Sequence, residues 1–433
     1  MIFFNKVLIM CKICRNESLE GLKYLDCSDC RLITSIPIIE GLEKLECINC
    51  PLLTTIPNIK GLKKLNCSEC YALTNIPIIE GLQKLNCSDC SLLTSIPNIN
   101  GLEKLFCVNC RLITTIPNIN GLKYLDCYML PLLTDIPNII ELEKLNCSDC
   151  PLITTIPNLK SLEILNCSEC YTLTTIPIIE ELEELNCYDC PLLSSIPNIK
   201  GLQVLKCSNC PSIVNIPIIE GLYELDCYAC PLITSIPNIE GLNTLDCSRC
   251  SLLITIPNIK GLKYLDCSDC PLIIIPNIKG LKELHCYNCS FLIDIPNIDG
   301  LELLNCTDCP LLTDIPNIEG LRDLNCSDCP LLNIIPNISI LGYDNNLLKL
   351  PFKNSKYLIS SKIERLYNNI YSLWKHYKLN KYILYLEKEY YSNPKLPYMQ
   401  YYINNELYDG NNNSKLRVGY INSKDELVWY GLD

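Results

Sequence analysis

Hydrophobic and polar positions repeat with a fixed period from Gly21 to about Ile338. Aligned on Gly21 as position 1, the repeat is G-L-x-x-L-x-C-S-x-C-P-L-L-T-x-I-P-N-I-x. Sixteen copies occur, with starts at 21, 41, 61, 81, 101, 121, 141, 161, 181, 201, 221, 241, 261, 280, 300 and 320. Such self-similarity is typical of a solenoid, in which each unit buries its apolar side only against its neighbours. We therefore predict a solenoid over 21–340, with an N-terminal capping coil at 1–20.

The first half of each coil predicts a short strand with one buried face. In the coil that starts at residue 61, Leu65 and Cys67 alternate with polar neighbours, which is the period-2 pattern of a strand. The second half repeats Ile-Pro-Asn-Ile, and a regular proline with β-branched neighbours favours extended backbone over helix. We predict about 16 helix-free coils whose strands form a parallel β-sheet. The coil at 261 is one residue short before Pro276, and we expect its return segment to absorb the deletion without a change in strand register.

Glycine at position 1 is replaced in three coils, by Glu141, Ser161 and Glu181. A backbone that required φ > 0 at this position would not readily accept two glutamates. Glycine is therefore predicted to ease a turn without being essential to it.

The strand segments resemble the L-x-x-L-x-L-x-x-N/C-x-L motif of leucine-rich repeats. The coil at 41 carries this pattern at Leu42, Leu45, Cys47, Cys50 and Leu52. The short unit with its I-P-x-I return is similar to repeats of large-DNA-virus or bacterial-type proteins of this class. The resemblance implies a right-handed solenoid whose parallel strands line a concave, protein-binding face, no catalytic residues and, for a viral protein, the host cytoplasm.

The last leucine of the motif is absent from three coils, which have Ala72, Thr172 and Ser212 at this position. Because the resemblance implies that this position is buried, we expect these coils to be less well filled there.

The C-terminal segment, 341–433, has a different composition and is predicted to be a cap or a small α+β domain. Residues 351–433 contain no cysteine but 14 of the 25 tyrosines. Helical spacing of apolar residues predicts two amphipathic helices, over 358–377 and 379–390, that end near Pro394. Residues 416–421 and 426–430 are predicted to pair as a hairpin. An independent partner-binding module is the alternative to a cap.

The cysteines permit three interpretations. Of the 33 cysteines, 31 lie in the repeat, and the recurring C-x2-C-x16-C-x2-C spacing is typical of a zinc site. Stacked core thiols are favoured because the pairs occupy positions that the motif buries, and because Leu130 replaces one cysteine without disturbing its unit. The apolar run from Val7 to Cys11 is too short for a signal peptide, so we expect a cytoplasmic chain with reduced thiols. Metal binding and disulfides remain alternatives.

Charge restricts the class of partner. Residues 1–350 contain 24 Lys and Arg against 40 Asp and Glu, an acidic balance that repels phosphate backbones. No apolar run reaches the ~18–20 residues of a membrane span. We therefore expect protein partners of basic or neutral charge, and neither nucleic acid nor membrane. Asp and Asn precede the first cysteine in most coils, and acids often precede the second. These rows are either a solvated face or an acidic surface for a basic ligand.

Nothing in the sequence forms an active site. The two histidines, His285 and His376, are far apart and lack a nearby nucleophile, and no cofactor or metal site is predicted. We interpret the chain as a non-enzymatic protein-interaction scaffold of unspecified oligomeric state. The alternatives are a metal-loaded structural repeat protein and a targeting subunit whose C-terminal segment recruits effectors.

A candidate partner-binding patch lies where two adjacent coils, at 101 and 121, depart most from the consensus. Its residues are Phe106, Val108, Tyr124, Tyr128 and Met129. Apolar and aromatic side chains here replace Asn, Asp, Ser or Lys, and such clusters within a polar rim are typical of binding hot spots. Sequence drift in a redundant repeat is the alternative, because tyrosine also replaces serine at Tyr188, Tyr228 and Tyr287.

Overall fold

The computed structural model describes residues 11–332 and four short strands between 401 and 430. Each coil in 11–332 contributes one three-residue strand, and this part of the chain contains no helix. The sixteen strands form one parallel sheet in chain order, as the repeat predicts. They are β1 (Tyr24–Asp26), β2 (Lys44–Glu46), β3 (Lys64–Asn66), β4 (Lys84–Asn86), β5 (Lys104–Phe106), β6 (Tyr124–Asp126), β7 (Lys144–Asn146), β8 (Ile164–Asn166), β9 (Glu184–Asn186), β10 (Val204–Lys206), β11 (Glu224–Asp226), β12 (Thr244–Asp246), β13 (Tyr264–Asp266), β14 (Glu283–His285), β15 (Leu303–Asn305) and β16 (Asp323–Asn325).

Neighbouring strands pair position for position, so equivalent side chains stack along the array. The short coil at 261 keeps this register, with Leu265 opposite Leu284. Its return segment absorbs the deletion, as predicted: Leu272 enters the main core, whereas Ile273 packs with Phe291 in a small separate cluster. The deletion therefore changes packing on the return side and leaves the sheet intact.

Seven positions of a coil form the core, and all of them are apolar. In the coil at 61 these residues are Leu62, Leu65, Cys67, Cys70, Leu73, Ile76 and Ile79. Each is stacked on its equivalents in the two adjacent coils, so the core is one continuous column.

The expected burial of the last motif leucine is wrong. Leu52 is 50% exposed, whereas Leu53 is fully buried. A tight turn, with a hydrogen bond from the Leu53 N–H to the Cys50 carbonyl (3.1 Å), places the third residue after the cysteine in the core. The substituted coils are consequently not underfilled there. Thr172 and Ser212 instead use their hydroxyls to donate to carbonyls of the preceding coil, at 2.7 Å from Pro151 O and 2.6 Å from Pro191 O.

The turn at position 1 accepts more than one backbone conformation, as predicted. Gly121 has φ +89°, and a Cβ there would lie 3.4 Å from the Gly101 Cα. In the next coil Glu141 has no positive φ, although its strand still pairs in register. Glycine therefore adopts the positive φ of this turn without steric cost, and other residues are accommodated by a change of φ.

The residue before the second cysteine has a left-handed backbone in all sixteen coils, with φ between 50° and 60°. Asp and Asn adopt this conformation more readily than other non-glycine residues. Backbone conformation thus explains why these residue types recur here, which the sequence analysis had connected only with a charged face. Met129 and Ala229 adopt the same left-handed conformation, although their side chains do not favour it as those of Asp and Asn do.

Two antiparallel hairpins are described near the C-terminus. Strands β17 (Tyr401–Ile403) and β18 (Glu406–Tyr408) form the first, and β19 (Val418–Ile421) and β20 (Leu427–Tyr430) form the second. The second confirms the predicted hairpin, and the first was not predicted. Both predicted helices lie outside the described residues, and the choice between a cap and an independent module stays a prediction.

The two alanines of the chain provide a matched test of the left-handed position. Ala229→Gly should increase the free energy of unfolding by about 0.5–1 kcal/mol, because glycine removes the steric cost of positive φ. Ala72 has no positive φ, so Ala72→Gly should reduce stability by about 0.5 kcal/mol through added freedom of the unfolded chain. Denaturant titration measures both changes. Destabilisation by both variants would contradict the strain argument.

Candidate functional site

Buried thiols connect successive coils through hydrogen bonds to the backbone. In fourteen coils the second cysteine donates its S–H to the carbonyl of the first cysteine in the preceding coil, over 2.9–3.3 Å. Cys70 and Cys47 form the shortest of these bonds, at 2.9 Å. The two coils outside the series contain Cys30, which has no preceding coil of this type, and Leu130, which has no thiol. We call this series the thiol ladder.

The first cysteines add a second, weaker set of contacts. Cys127 donates to the carbonyl of Asn146 at 3.3 Å, and Cys267 donates to the carbonyl of His285 at 3.4 Å. Burial raises the pKa of the Cys107, Cys167 and Cys247 thiols well above the ordinary value. These three thiols therefore stay protonated at neutral pH.

Removal of one ladder thiol should show whether these cysteines stabilise the fold by hydrogen bonding or only by filling apolar space. Cys170→Ala should lower the free energy of unfolding by about 1–3 kcal/mol, because the Cys147 carbonyl loses its donor and the fully buried site loses an atom. Cys170→Ser keeps a donor and should cost less than Cys170→Ala in denaturant titrations. If the site required only an apolar side chain, Cys170→Ser would cost more stability than Cys170→Ala, because a buried hydroxyl is more polar than a methyl group.

Stability should depend on pH in the alkaline range. Below the ordinary thiol pKa of about 8.5 both folded and unfolded chains are protonated, so stability does not change. Above it the unfolded chain releases protons that the folded chain keeps, and stability falls by about 1.4 kcal/mol per pH unit for each such thiol. Cys107, Cys167 and Cys247 alone should account for about 4 kcal/mol per pH unit. If unfolding curves at pH 7.5, 8.5 and 9.5 coincide, deprotonation of these thiols in the unfolded chain does not affect stability.

The structure brings two of the predicted patch residues into direct contact. The rings of Phe106 on β5 and Tyr124 on β6 have centroids 5.0 Å apart and an interplanar angle of 34°. The Lys84 ammonium lies 5.1 Å from the Phe106 ring centroid on the other side. Burial, followed by the charge of Asp126, raises the pKa of Tyr124. Phe106 therefore lies in a row of three side chains across three strands.

The other patch residues lie on the turns that follow these strands. Val108 and Tyr128 occupy equivalent positions of adjacent coils, and the N–H of Asn109 donates to the Tyr128 carbonyl at 2.9 Å. Met129 follows with φ 59°, and its N–H donates to the Ser148 carbonyl at 3.0 Å. All five patch side chains are half-buried. They thus form two neighbouring groups, an aromatic pair on the strands and an apolar group on the turns.

The row of Asp and Asn before the first cysteine has a structural role within each coil. Asn66 accepts from the Ser68 N–H at 3.2 Å and from the Ser68 hydroxyl at 2.9 Å. A bond along the stack also occurs, from the Asn146 amide to the Asp126 carboxylate at 2.9 Å. The sequence signal for this turn was Asn or Asp two residues before Ser, which is typical of an Asx turn. Local turn formation therefore accounts for a composition that had suggested an acidic ligand surface.

His285 does not belong to a catalytic group in the described part of the chain. Its half-buried ring lies 5.5 Å from that of Tyr264 on the adjacent strand. A shallow open depression nearby is lined by Arg249, Asp269, Tyr287 and Asn305, among others. Arg249 already pairs with Asp269, at 3.4 Å between Nε and Oδ2. The depression thus presents an internally neutralised charge pair.

An apolar ridge was missed by the sequence analysis because its leucines were assigned to the core. These side chains follow the second cysteine by two residues and are between 37% and 52% exposed. The ridge consists of Leu32, Leu52, Leu92, Leu112, Leu132, Leu152, Leu192 and Leu232. It runs along the array beside the turns and is interrupted at Ala72, Thr172 and Ser212. The ridge is a second surface to which a protein could bind.

One strand per coil, helix-free returns and this buried pattern define a solenoid of the leucine-rich repeat type. No family model and no curated protein matches the sequence. Among solved structures, the chain is similar to the crystal structure of a leucine-rich repeat protein from Bacteroides ovatus ATCC 8483, with 17% sequence identity and a TM-score of 0.33. The match covers 69% of this chain and 77% of the other. In the described residues, no helix has the length and apolar character needed to cross a membrane.

Proposed function

We propose that the protein is a non-enzymatic scaffold that binds a protein partner at the patch of Phe106, Val108, Tyr124, Tyr128 and Met129. The observation that carries this proposal is the contact between Phe106 and Tyr124, whose rings are 5.0 Å apart at the sheet surface. Most coils have a polar residue at the position of Phe106, and no folding requirement of the repeat calls for an aromatic ring there. An aromatic pair at a solvent-facing strand position is therefore better explained by contact with a partner.

The chemistry of the patch suits a partner with an apolar anchor and basic flanks. The half-buried aromatic side chains supply a large contact area at a low cost in conformational entropy, and the flexible thioether of Met129 can adapt to the shape of a partner. Asp89 and Asp126 border the patch together with Lys84, whose ammonium lies over the Phe106 ring, and the described array is acidic as a whole. Basic residues around an apolar anchor would complement the acidic array and accelerate association. We also place the protein in the cytoplasm, because its many thiols are unpaired and buried.

Substitution within the patch tests this proposal. Phe106→Ser combined with Tyr128→Ser should leave the fold intact. The double variant should bind a captured partner with an affinity lower by about 30-fold or more, which corresponds to roughly 2 kcal/mol. The matched control is Tyr188→Ser combined with Tyr228→Ser, which removes tyrosines from the same coil position outside the patch. Affinities of both variants are measured by titration calorimetry with the partner identified by affinity capture.

A third variant distinguishes the patch from the apolar ridge. Leu92→Ser combined with Leu112→Ser removes two exposed ridge leucines close to the patch. If this variant loses the partner while the patch variant binds like the parent, the ridge is the interface and the patch reflects sequence drift. If the C-terminal segment alone determines binding, all three array variants will bind equally, as expected for a targeting subunit that recruits through residues 341–433.

A further inference from the structure

Within the described residues, the second cysteine of the first complete coil faces a thiol, whereas the second cysteines of later coils face a carbonyl in the thiol ladder. Cys50 donates to the carbonyl of Cys27 at 3.1 Å, whereas Cys30 faces the thiol of Cys14, with the two sulfur atoms 3.5 Å apart. The sequence before the array is the cause. Cys11 precedes Cys27 by less than one repeat period, whereas Cys47 follows Cys27 by exactly one period.

Residues 11–17 form a single helical turn instead of a strand. The N–H of Arg15 donates to the Cys11 carbonyl at 3.1 Å, and the N–H of Glu17 donates to the Lys12 carbonyl at 3.0 Å. Residues three apart on such a turn lie on the same side. The thiols of Cys11 and Cys14 therefore point to the same place, which is the end of the array where Cys30 is located.

Three thiols consequently converge at the end of the first coil. The sulfur atoms of Cys11, Cys14 and Cys30 all lie within 4.8 Å of one another. Tetrahedral zinc with Zn–S bonds of about 2.3 Å requires sulfur atoms about 3.8 Å apart, so small side-chain movements would complete such a site. Within the described residues no other three His, Cys, Asp or Glu side chains come this close together. The ladder thiols do not form such a group, because each is directed at a separate carbonyl.

A further thiol is available beside this group. The sulfur of Cys27 lies outside this group of three but interacts with the Cys11 thiol, and the two pairs have the spacing C-x2-C-x12-C-x2-C. Two Cys-x-x-Cys pairs with a short intervening loop are typical of structural zinc sites. Cys11, Cys27 and Cys30 are buried, whereas Cys14 is half-exposed, so an ion could enter from the side of Cys14.

We propose that Cys11, Cys14 and Cys30, with Cys27 as the fourth ligand, bind one zinc ion that fastens the N-terminal segment to the first coil. The coordinating thiols release their protons to solvent when the metal binds. A solenoid needs its end coil covered, and four thiolates on one ion would join residues 11–14 to residues 27–30 more strongly than apolar packing of a short segment. No other three thiols of the described array converge in this way, so one ion per chain is expected.

Cobalt titration of the full-length chain, reduced and stripped of metal, provides the direct test. Cobalt(II) reports tetrahedral thiolate coordination by its visible absorption and by sulfur-to-metal charge transfer. The absorption should saturate at one equivalent and be abolished by one equivalent of zinc. Elemental analysis after dialysis should then give about one zinc per chain, and zinc should raise the melting temperature.

Two single variants localise the site. Cys14→Ser should abolish the cobalt spectrum and the thermal shift, whereas Cys326→Ser, at a half-buried cysteine in the last described coil, should retain both. Negligible binding to the parent chain would overturn the proposal, whether or not the variants fold. Equal loss of the cobalt spectrum in both variants would also overturn the proposal. A Cys14–Cys30 disulfide in peptide maps of protein kept in reducing buffer would overturn it as well. A stoichiometry near eight zinc ions would instead support a metal-loaded array and overturn the thiol ladder as well.

Discussion

Hydrogen bonding between coils is the constraint on which the structure depends. Each strand is only three residues long, so the parallel ladder itself satisfies few backbone groups per coil. The chain then turns inward, and the carbonyl of the first cysteine becomes enclosed in the core, where an unpaired carbonyl is costly. The thiol of the next coil supplies the donor, as at Cys170 and Cys147 (3.2 Å). Cysteine is thus both apolar enough for the core and able to donate one bond.

This dual role explains why the second cysteine position tolerates little variation. Leucine at the second position fills the space but provides no donor, and only Leu130 does so. The Cys107 carbonyl is therefore without the thiol that its equivalents receive. The same two coils contain Phe106, Val108, Tyr128 and Met129. The break in the thiol ladder thus lies directly beneath the surface that departs most from the consensus.

The repeat period predicted the strands, their register and most of the core, because burial in a solenoid is fixed by position within the coil. It failed where turn geometry decides which of two adjacent residues points inward. Leu52 and Leu53 are both apolar, and only the turn after Cys50 distinguishes them. The rows of Asp and Asn had two open interpretations, a solvated face or an acidic ligand surface, and neither included the left-handed backbone at residues such as Asp29 or the Asx turn at Asn66. The convergence of Cys11 and Cys14 depends on a helical turn outside the periodic region, where the repeat carries no information.

The same residue type has two different chemistries in this molecule, and what it faces decides between them. Cys50 and Cys30 are both fully buried. Cys50 faces a carbonyl at 3.1 Å, which stabilises the protonated thiol because only S–H can donate to an oxygen. Cys30 faces another sulfur at 3.5 Å, the thiol of Cys14. A metal ion needs several sulfur atoms within reach at once, and among the described residues the thiols converge in this way only at the N-terminal end of the array. The end of the array is therefore where the uniform cysteine pattern can acquire a separate role.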